Sequence, residues 1–144
     1  MPVRKLAPLD RPGLVAILAA DETFRDEEVV VALELIDSAL ATPDEGYRVL
    51  VSVGDAVGSP LGYVCFGRTP MTEHTYDLYW IVTHPRARGR GIASALVAAM
   101  ENEVRANAGV VLRIETSQED GYGAARAFYE KMGYREVGRI RDFY

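Results

Sequence analysis

The run Tyr76-Asp77-Leu78-Tyr79-Trp80-Ile81-Val82-Thr83 is the strongest strand signal in this chain, and together with the residues after it limits the folds open to the whole sequence. His84-Pro85 ends the strand, because proline cannot donate to a continuing ladder. A short loop, residues 86–91, leads into Ile92, Ala95, Leu96, Ala99, Met100 and Val104, which recur on one face of a helix. Gly109 closes that helix, and residues 110–115 form a second strand. A strand, a crossover helix and a strand in this order place the two strands parallel in one sheet, which makes the fold class α/β.

The flanking sequence fills in the layers. Asp10 and Pro12 open a helix carrying Leu14, Val15, Ile17 and Leu18. Thr23 is expected to cap a second helix, whose stripe Val29, Ala32, Leu33, Ile36 and Leu40 runs until Pro43. Residues 47–53 and 61–66 read as a hairpin about a turn bounded by Gly54-Asp55 and Gly58-Ser59. Residues 122–132 read as a last helix ended by Gly133, and residues 134–140 as a last strand. With 144 residues, 49% of them hydrophobic, and no linker or repeat, the expectation is one domain over 1–144.

Charge and cysteine content exclude several classes of function. A net charge of −5 argues against a general nucleic-acid binder, which needs a basic field to meet phosphate. Cys65 is the only cysteine, so an intrachain disulfide and a cysteine-based zinc site are both ruled out. His74 and His84 stand apart, and no metal site is expected. No stretch has the ~18–20 apolar residues of a membrane helix, and the first ten residues lack a signal peptide's apolar region, so the reading is cytoplasmic.

The chemistry concentrates in Arg86-Ala87-Arg88-Gly89-Arg90-Gly91-Ile92-Ala93. Two glycines let the backbone approach a ligand and turn N–H groups inward. The helix after the loop adds its unpaired N-terminal N–H groups and its dipole. Three arginines add positive charge to an otherwise acidic protein. Together these describe a cradle for pyrophosphate. A dinucleotide-binding turn is the competing reading, with Glu115 gripping a ribose. It is disfavoured because Ser94 takes the third glycine position and the glycines begin well after the strand has ended.

Residues 86–91 match the R/Q-x-x-G-x-G/A signature of the GNAT acetyltransferase superfamily, and Val82-Thr83-His84-Pro85 matches the strand end that precedes it. Residues 125–134, Ala125-Arg126-Ala127-Phe128-Tyr129-Glu130-Lys131-Met132-Gly133-Tyr134, resemble that superfamily's second motif, A-x-x-x-Y-x-K-x-G-F/Y. Both lie in the family's order and spacing. There are two departures. Tyr122 stands where many members have Asn, and the chain stops at Tyr144 with little room for the further strand that relatives carry.

The resemblance implies a mixed, mostly antiparallel sheet with a central parallel pair and helices on both faces. It also implies transfer of an acetyl group from acetyl-CoA, as cosubstrate and without a metal, to a primary amine of a small molecule or peptide by direct attack. The backbone of Ile81, Val82 and Thr83 would pair with the pantetheine arm, and Arg86, Ala87, Arg88, Gly89, Arg90, Gly91, Ile92 and Ala93 would hold the pyrophosphate. Tyr129 takes the position of the tyrosine that protonates the departing thiolate, although its place on a stripe with Ala125, Phe128 and Met132 also suits a core residue. Glu73, Asp77 and Glu115 are the carboxylates that could take the amine's proton. Cys65, between Val64 and Phe66, reads as packing, and Trp80 as core. A non-catalytic acyl-CoA-binding or regulatory module is the alternative. The edge of residues 134–140, if uncovered, would favour either a homodimer that covers it or a sequence shortened relative to its natural product.

Overall fold

In the computed structural model, which describes residues 2–54, 59–117 and 119–143, the expected hairpin forms as β2 (Tyr47–Val53) and β3 (Pro60–Arg68). The pair is antiparallel, with Val49 opposite Cys65 and Val51 opposite Tyr63. Most of the turn that joins them lies outside the described residues. Alternation of side chains along a strand sends Val49, Val51 and Val53 to one face with Tyr63 and Cys65, and Leu50, Val64 and Phe66 to the other.

Each face is covered by helices. On the first, α1 (Arg11–Ala20) contributes Leu14, Ile17 and Leu18, and α2 (Asp26–Ala41) contributes Ala32, Ile36 and Ala39, all in one buried cluster with the β2 and β3 residues. On the second lies α3 (Ile92–Ala106), which buries Ile92, Leu96, Val97, Met100 and Val104. Gly62 of β3 sets how near α3 comes. A Cβ there would stand 3.0 Å from Ile92 Cγ2 and 2.8 Å from the Val82 carbonyl oxygen. Each large apolar side chain removed from water in this way contributes about 1.5–3 kcal/mol.

The sheet order is β1-β2-β3-β4-β5, with β1 at Val3–Lys5, β4 at Thr75–Thr83 and β5 at Val111–Ile114. Neighbours are antiparallel except β4 and β5, which are parallel through the α3 crossover. The parallel pair is therefore present, at one end of the described order.

Helix starts differ from expectation in instructive ways. Thr23 does not cap α2. Its N–H donates to Asp21 Oδ1 at 2.9 Å, which folds residues 21–25 into a turn and leaves Arg25 as the capping position, its N–H donating to Glu28 Oε1 at 3.1 Å. Asp10 makes no side-chain cap on α1. It is buried and accepts two hydrogen bonds from Arg4, at 2.7 and 2.8 Å, and one from the Ala7 N–H at 2.8 Å.

The described residues from Glu115 onward form a second compact unit, separate from those up to Ile114. It contains α4 (Gly123–Lys131), which ends close to the expected position, with Gly133 at φ 95°. Residues 134–140 are not a strand. They have no regular structure, and Val137 and Ile140 are largely exposed. A strand needs a ladder partner, and among the described residues none pairs with this segment. The strand edge expected to pair with a second copy is accordingly not there.

Candidate active site

Two irregularities in β4 shape the candidate site. Cys65 pairs with Trp80 and Phe66 with Leu78, so Tyr79 is an extra residue, a β-bulge. One residue earlier, Leu78↔Ile114 is the last rung of the ladder with β5. From Tyr79 to Thr83, β4 has ladder partners only on its β3 side among the described residues. Unpaired N–H and C=O groups along a half-buried edge form a template for an added extended segment. Ile81, Val82 and Thr83 lie on this stretch.

At the end of that edge His84 turns the chain. Its Nδ1 accepts the Arg86 N–H at 3.1 Å, and its carbonyl accepts the Ala87 N–H at 2.8 Å. Ala87 is buried and pins the loop, while Arg86, Arg88, Gly89, Arg90 and Gly91 are exposed. Gly89 and Gly91 have φ of 80° and 77°, the left-handed region that glycine occupies without strain. Among the described residues no atom comes within 4 Å of the Cβ position of either, so the space beside the backbone is open. The first bond of α3 runs from the Ala95 N–H to the Gly91 carbonyl. The N–H groups of Ile92 and Ala93 therefore precede the helical ladder and are available to an anion.

On the α1/α2 face beside the bulge, aromatic rings collect. Tyr79 meets Tyr47 edge-on at 5.2 Å, and Trp80 meets Phe24 at 5.4 Å. Trp80 packs against the core as expected, with its indole N–H buried and unpartnered among the described residues. Burial, with Asp77 as neighbour, pushes the Tyr79 hydroxyl up to about 12.

The three candidate carboxylates are placed very differently. Asp77, two residues before the bulge, is buried. It accepts Arg113 Nε at 2.6 Å, Arg113 Nη2 at 3.1 Å and the Thr69 hydroxyl at 2.8 Å. Burial alone would raise its pKa, but the hydrogen bonds from Arg113 and Thr69 more than offset that and hold it below the usual carboxylate range. Glu73 precedes β4 at the end far from the loop, with its side chain 89% exposed and His74 as its neighbour. At about 3.3 Å per residue, the six residues from Glu73 to Tyr79 span at most about 20 Å. Glu115 comes directly after Ile114, the last rung of β5.

Tyr129 lies on α4. Its ring packs edge-on against Phe128 at 5.5 Å and Tyr134 at 6.3 Å, and burial pushes its hydroxyl up to about 12. Its phenol is thus fully protonated at neutral pH. Arg126, one turn earlier, donates to the Ser117 carbonyl at 2.7 Å and fixes the segment that leads into the helix. Cys65 is buried, and burial pushes its thiol up to about 12, so it carries no thiolate. Among the described residues, no three of His, Cys, Asp and Glu cluster as metal ligands, and no helix is long and apolar enough to cross a membrane.

Sequence reasoning missed three features: the bulge at Tyr79, the Asp77–Arg113 pair, and an ion pair between Arg88 Nη2 and Asp21 Oδ2 at 3.1 Å. The first two depend on register, which no local pattern reports. The third joins residues far apart in sequence.

Residues 45–136 match the model of the acetyltransferase (GNAT) domain family. A crystal structure assigned to a GNAT-family acetyltransferase from Desulfovibrio desulfuricans is 34% identical, with a TM-score of 0.93 over 99% of this chain and 90% of that one. A ribosomal-protein-alanine N-acetyltransferase from Brucella melitensis is 20% identical, with a TM-score of 0.72 over 99% and 100%. An aminoglycoside 6'-N-acetyltransferase solved with coenzyme A is 19% identical, with a TM-score of 0.75 over 99% and 89%. At those identities the last two bear on the fold alone.

Proposed function

The chain belongs to the GNAT acetyltransferase family, and from that premise we propose that it moves an acetyl group from acetyl-CoA to a primary amine of a small molecule or peptide, the whole chain acting as one catalytic domain. The observation that carries this reading is the continuity of the β4 edge. Among the described residues the strand loses β5 after Leu78, stays unpaired on that side through Thr83, and runs straight into a loop of open left-handed glycines at a helix N-terminus. That stretch suits a ligand with an extended amide-bearing arm and a diphosphate at its end.

The edge of Ile81, Val82 and Thr83 pairs with the pantetheine amides as an added strand. The backbone N–H groups at Gly89, Gly91, Ile92 and Ala93, with the guanidinium groups of Arg86, Arg88 and Arg90, hold the diphosphate. The open space at Gly89 and Gly91, which a Cβ would fill, fits this role. Acetyl-CoA supplies the thioester; the amine nitrogen forms the C–N bond to the acetyl carbon, and the C–S bond breaks. A backbone N–H near the bulge polarises the carbonyl, a contribution of about 3–4 kcal/mol for one well-placed donor.

Two protons must move. Tyr129, protonated well above neutral pH, gives its phenolic proton to the departing sulfur. Glu115 takes the proton from the amine. Asp77 is unsuited to that task because its oxygens are engaged by Arg113 and Thr69, so its part is to fix Arg113 beside the bulge. Glu73, exposed and ahead of β4, is given no part in this reading. The products are the acetamide and free CoA thiol, with no acyl-enzyme, in keeping with the inert Cys65 thiol.

The test is release of free CoA thiol from acetyl-CoA across a panel of small amines and peptides, with products identified by mass. Amine-dependent release with an acetylated product supports the reading. Tight CoA binding with no release from any amine would favour the non-catalytic acyl-CoA-binding module instead.

A further inference from the structure

The turn between α1 and α2 is fastened at two points. Asp21 opens it; its side chain is only 10% exposed, its Oδ1 accepts the Thr23 N–H at 2.9 Å and its Oδ2 accepts Arg88 Nη2 at 3.1 Å. Three residues on, the Phe24 ring lies against Trp80 of β4, and the Phe24 N–H reaches back toward the Asp21 carbonyl. One short segment thus touches the arginine loop with its first residue and the bulged strand with its fourth. Arg88 itself is 58% exposed and is held by Asp21 through one nitrogen rather than a bidentate fork.

We propose that Asp21 is a positioning residue that competes with the diphosphate for Arg88, and so couples occupancy of the arginine loop to the α1–α2 turn beside Trp80. This rests on the reading of residues 86–91 as the diphosphate loop. A single-point contact on an exposed guanidinium is weak, on the scale of a surface ion pair. A diphosphate carries more charge than one carboxylate and meets the open backbone at Gly89 and Gly91, so it draws Arg88 away. Asp21 then loses its cation while still holding Thr23, and the turn is tied at Phe24 alone. Because coupling is reciprocal, whatever fixes the turn in its Arg88-bound form weakens binding of the diphosphate by the same factor.

Calorimetric titration with CoA of the wild type, Asp21→Asn, Arg88→Gln and the double variant tests this. Asn keeps an oxygen for the Thr23 N–H and removes the charge; Asp21→Ser does the same and replaces it if the Asn variant fails to fold. Asp21→Asn is expected to bind CoA about three- to fivefold more tightly, the worth of an exposed ion pair, and Arg88→Gln more weakly. In the Arg88→Gln background the Asp21 substitution should bring no gain. An equal gain in both backgrounds would mean a general charge effect and would overturn the proposal, as would weaker or unchanged binding by Asp21→Asn. If Arg88→Gln alone leaves CoA affinity unchanged, the failure lies in assigning Arg88 to the diphosphate, and the competition falls with it.

Discussion

Leu78 of β4 stands opposite Ile114 of β5, and this pair is the last rung on which the two parallel strands are joined. Beyond it β5 ends, and Tyr79, the bulged residue, opens a stretch of β4 with one side unpaired among the described residues. Where the ladder with β5 stops, β4 keeps an edge without a strand partner among the described residues.

Gly89→Glu should abolish CoA binding in calorimetry while the protein remains folded by circular dichroism. The position has φ 80° and open space at the Cβ, so the substitution strains the backbone by about 1–2 kcal/mol and sets a carboxylate where the proposed function puts the diphosphate. CoA affinity equal to that of the wild type would remove the loop from the site.

Tyr129→Phe should lower turnover about tenfold or more with acetyl-CoA affinity nearly unchanged, because on the proposed mechanism only a proton donor is lost. Burial raises the hydroxyl's pKa, so it favours the protonated folded state. The stability it confers is whole below the unfolded value of about 10 and is lost as pH rises through the folded value of about 12. The phenylalanine variant should therefore lose less stability than the wild type between those limits in denaturant titrations.

Glu115→Gln should reduce kcat by about tenfold or more near neutral pH, with recovery at alkaline pH where the amine is already unprotonated. A flat ratio of the two enzymes across pH would assign the proton to water.

Asp77→Asn should destabilise by about 1–3 kcal/mol, since it removes the charge that Arg113 and Thr69 bind. The Asp77 pKa is lowered in the folded state, so its stabilisation is present above the unfolded value of about 4 and is lost as pH falls through the folded one. The variant should show a shallower acid limb in thermal unfolding; an unchanged limb would place acid sensitivity at other carboxylates, Asp10 first among them.

Gly62→Ala should cost about 1–3 kcal/mol, because a methyl group there meets the Val82 carbonyl and Ile92 and must push α3 off the sheet. Chemical denaturation of the single variant measures it directly.

Sequence pattern determined most elements of this protein and the motif that marks its candidate site. The spacing of Ile92, Leu96 and Val104, the β-branched and aromatic run of β4, and the two glycines of the loop each report a requirement met within a few residues: a buried helix face, a pleated strand, a positive φ. Tertiary structure decided where those elements part or lock. The bulge at Tyr79, the last rung at Leu78 and Ile114, the grip of Arg113 on Asp77 and of Asp21 on Arg88, and the irregular path of residues 134–140 all depend on which distant segment lies alongside. A strand's pattern fixes which face is apolar, but pairing, register and ion-pair choice are contests between remote groups, and their outcome is set only when the chain has closed on itself.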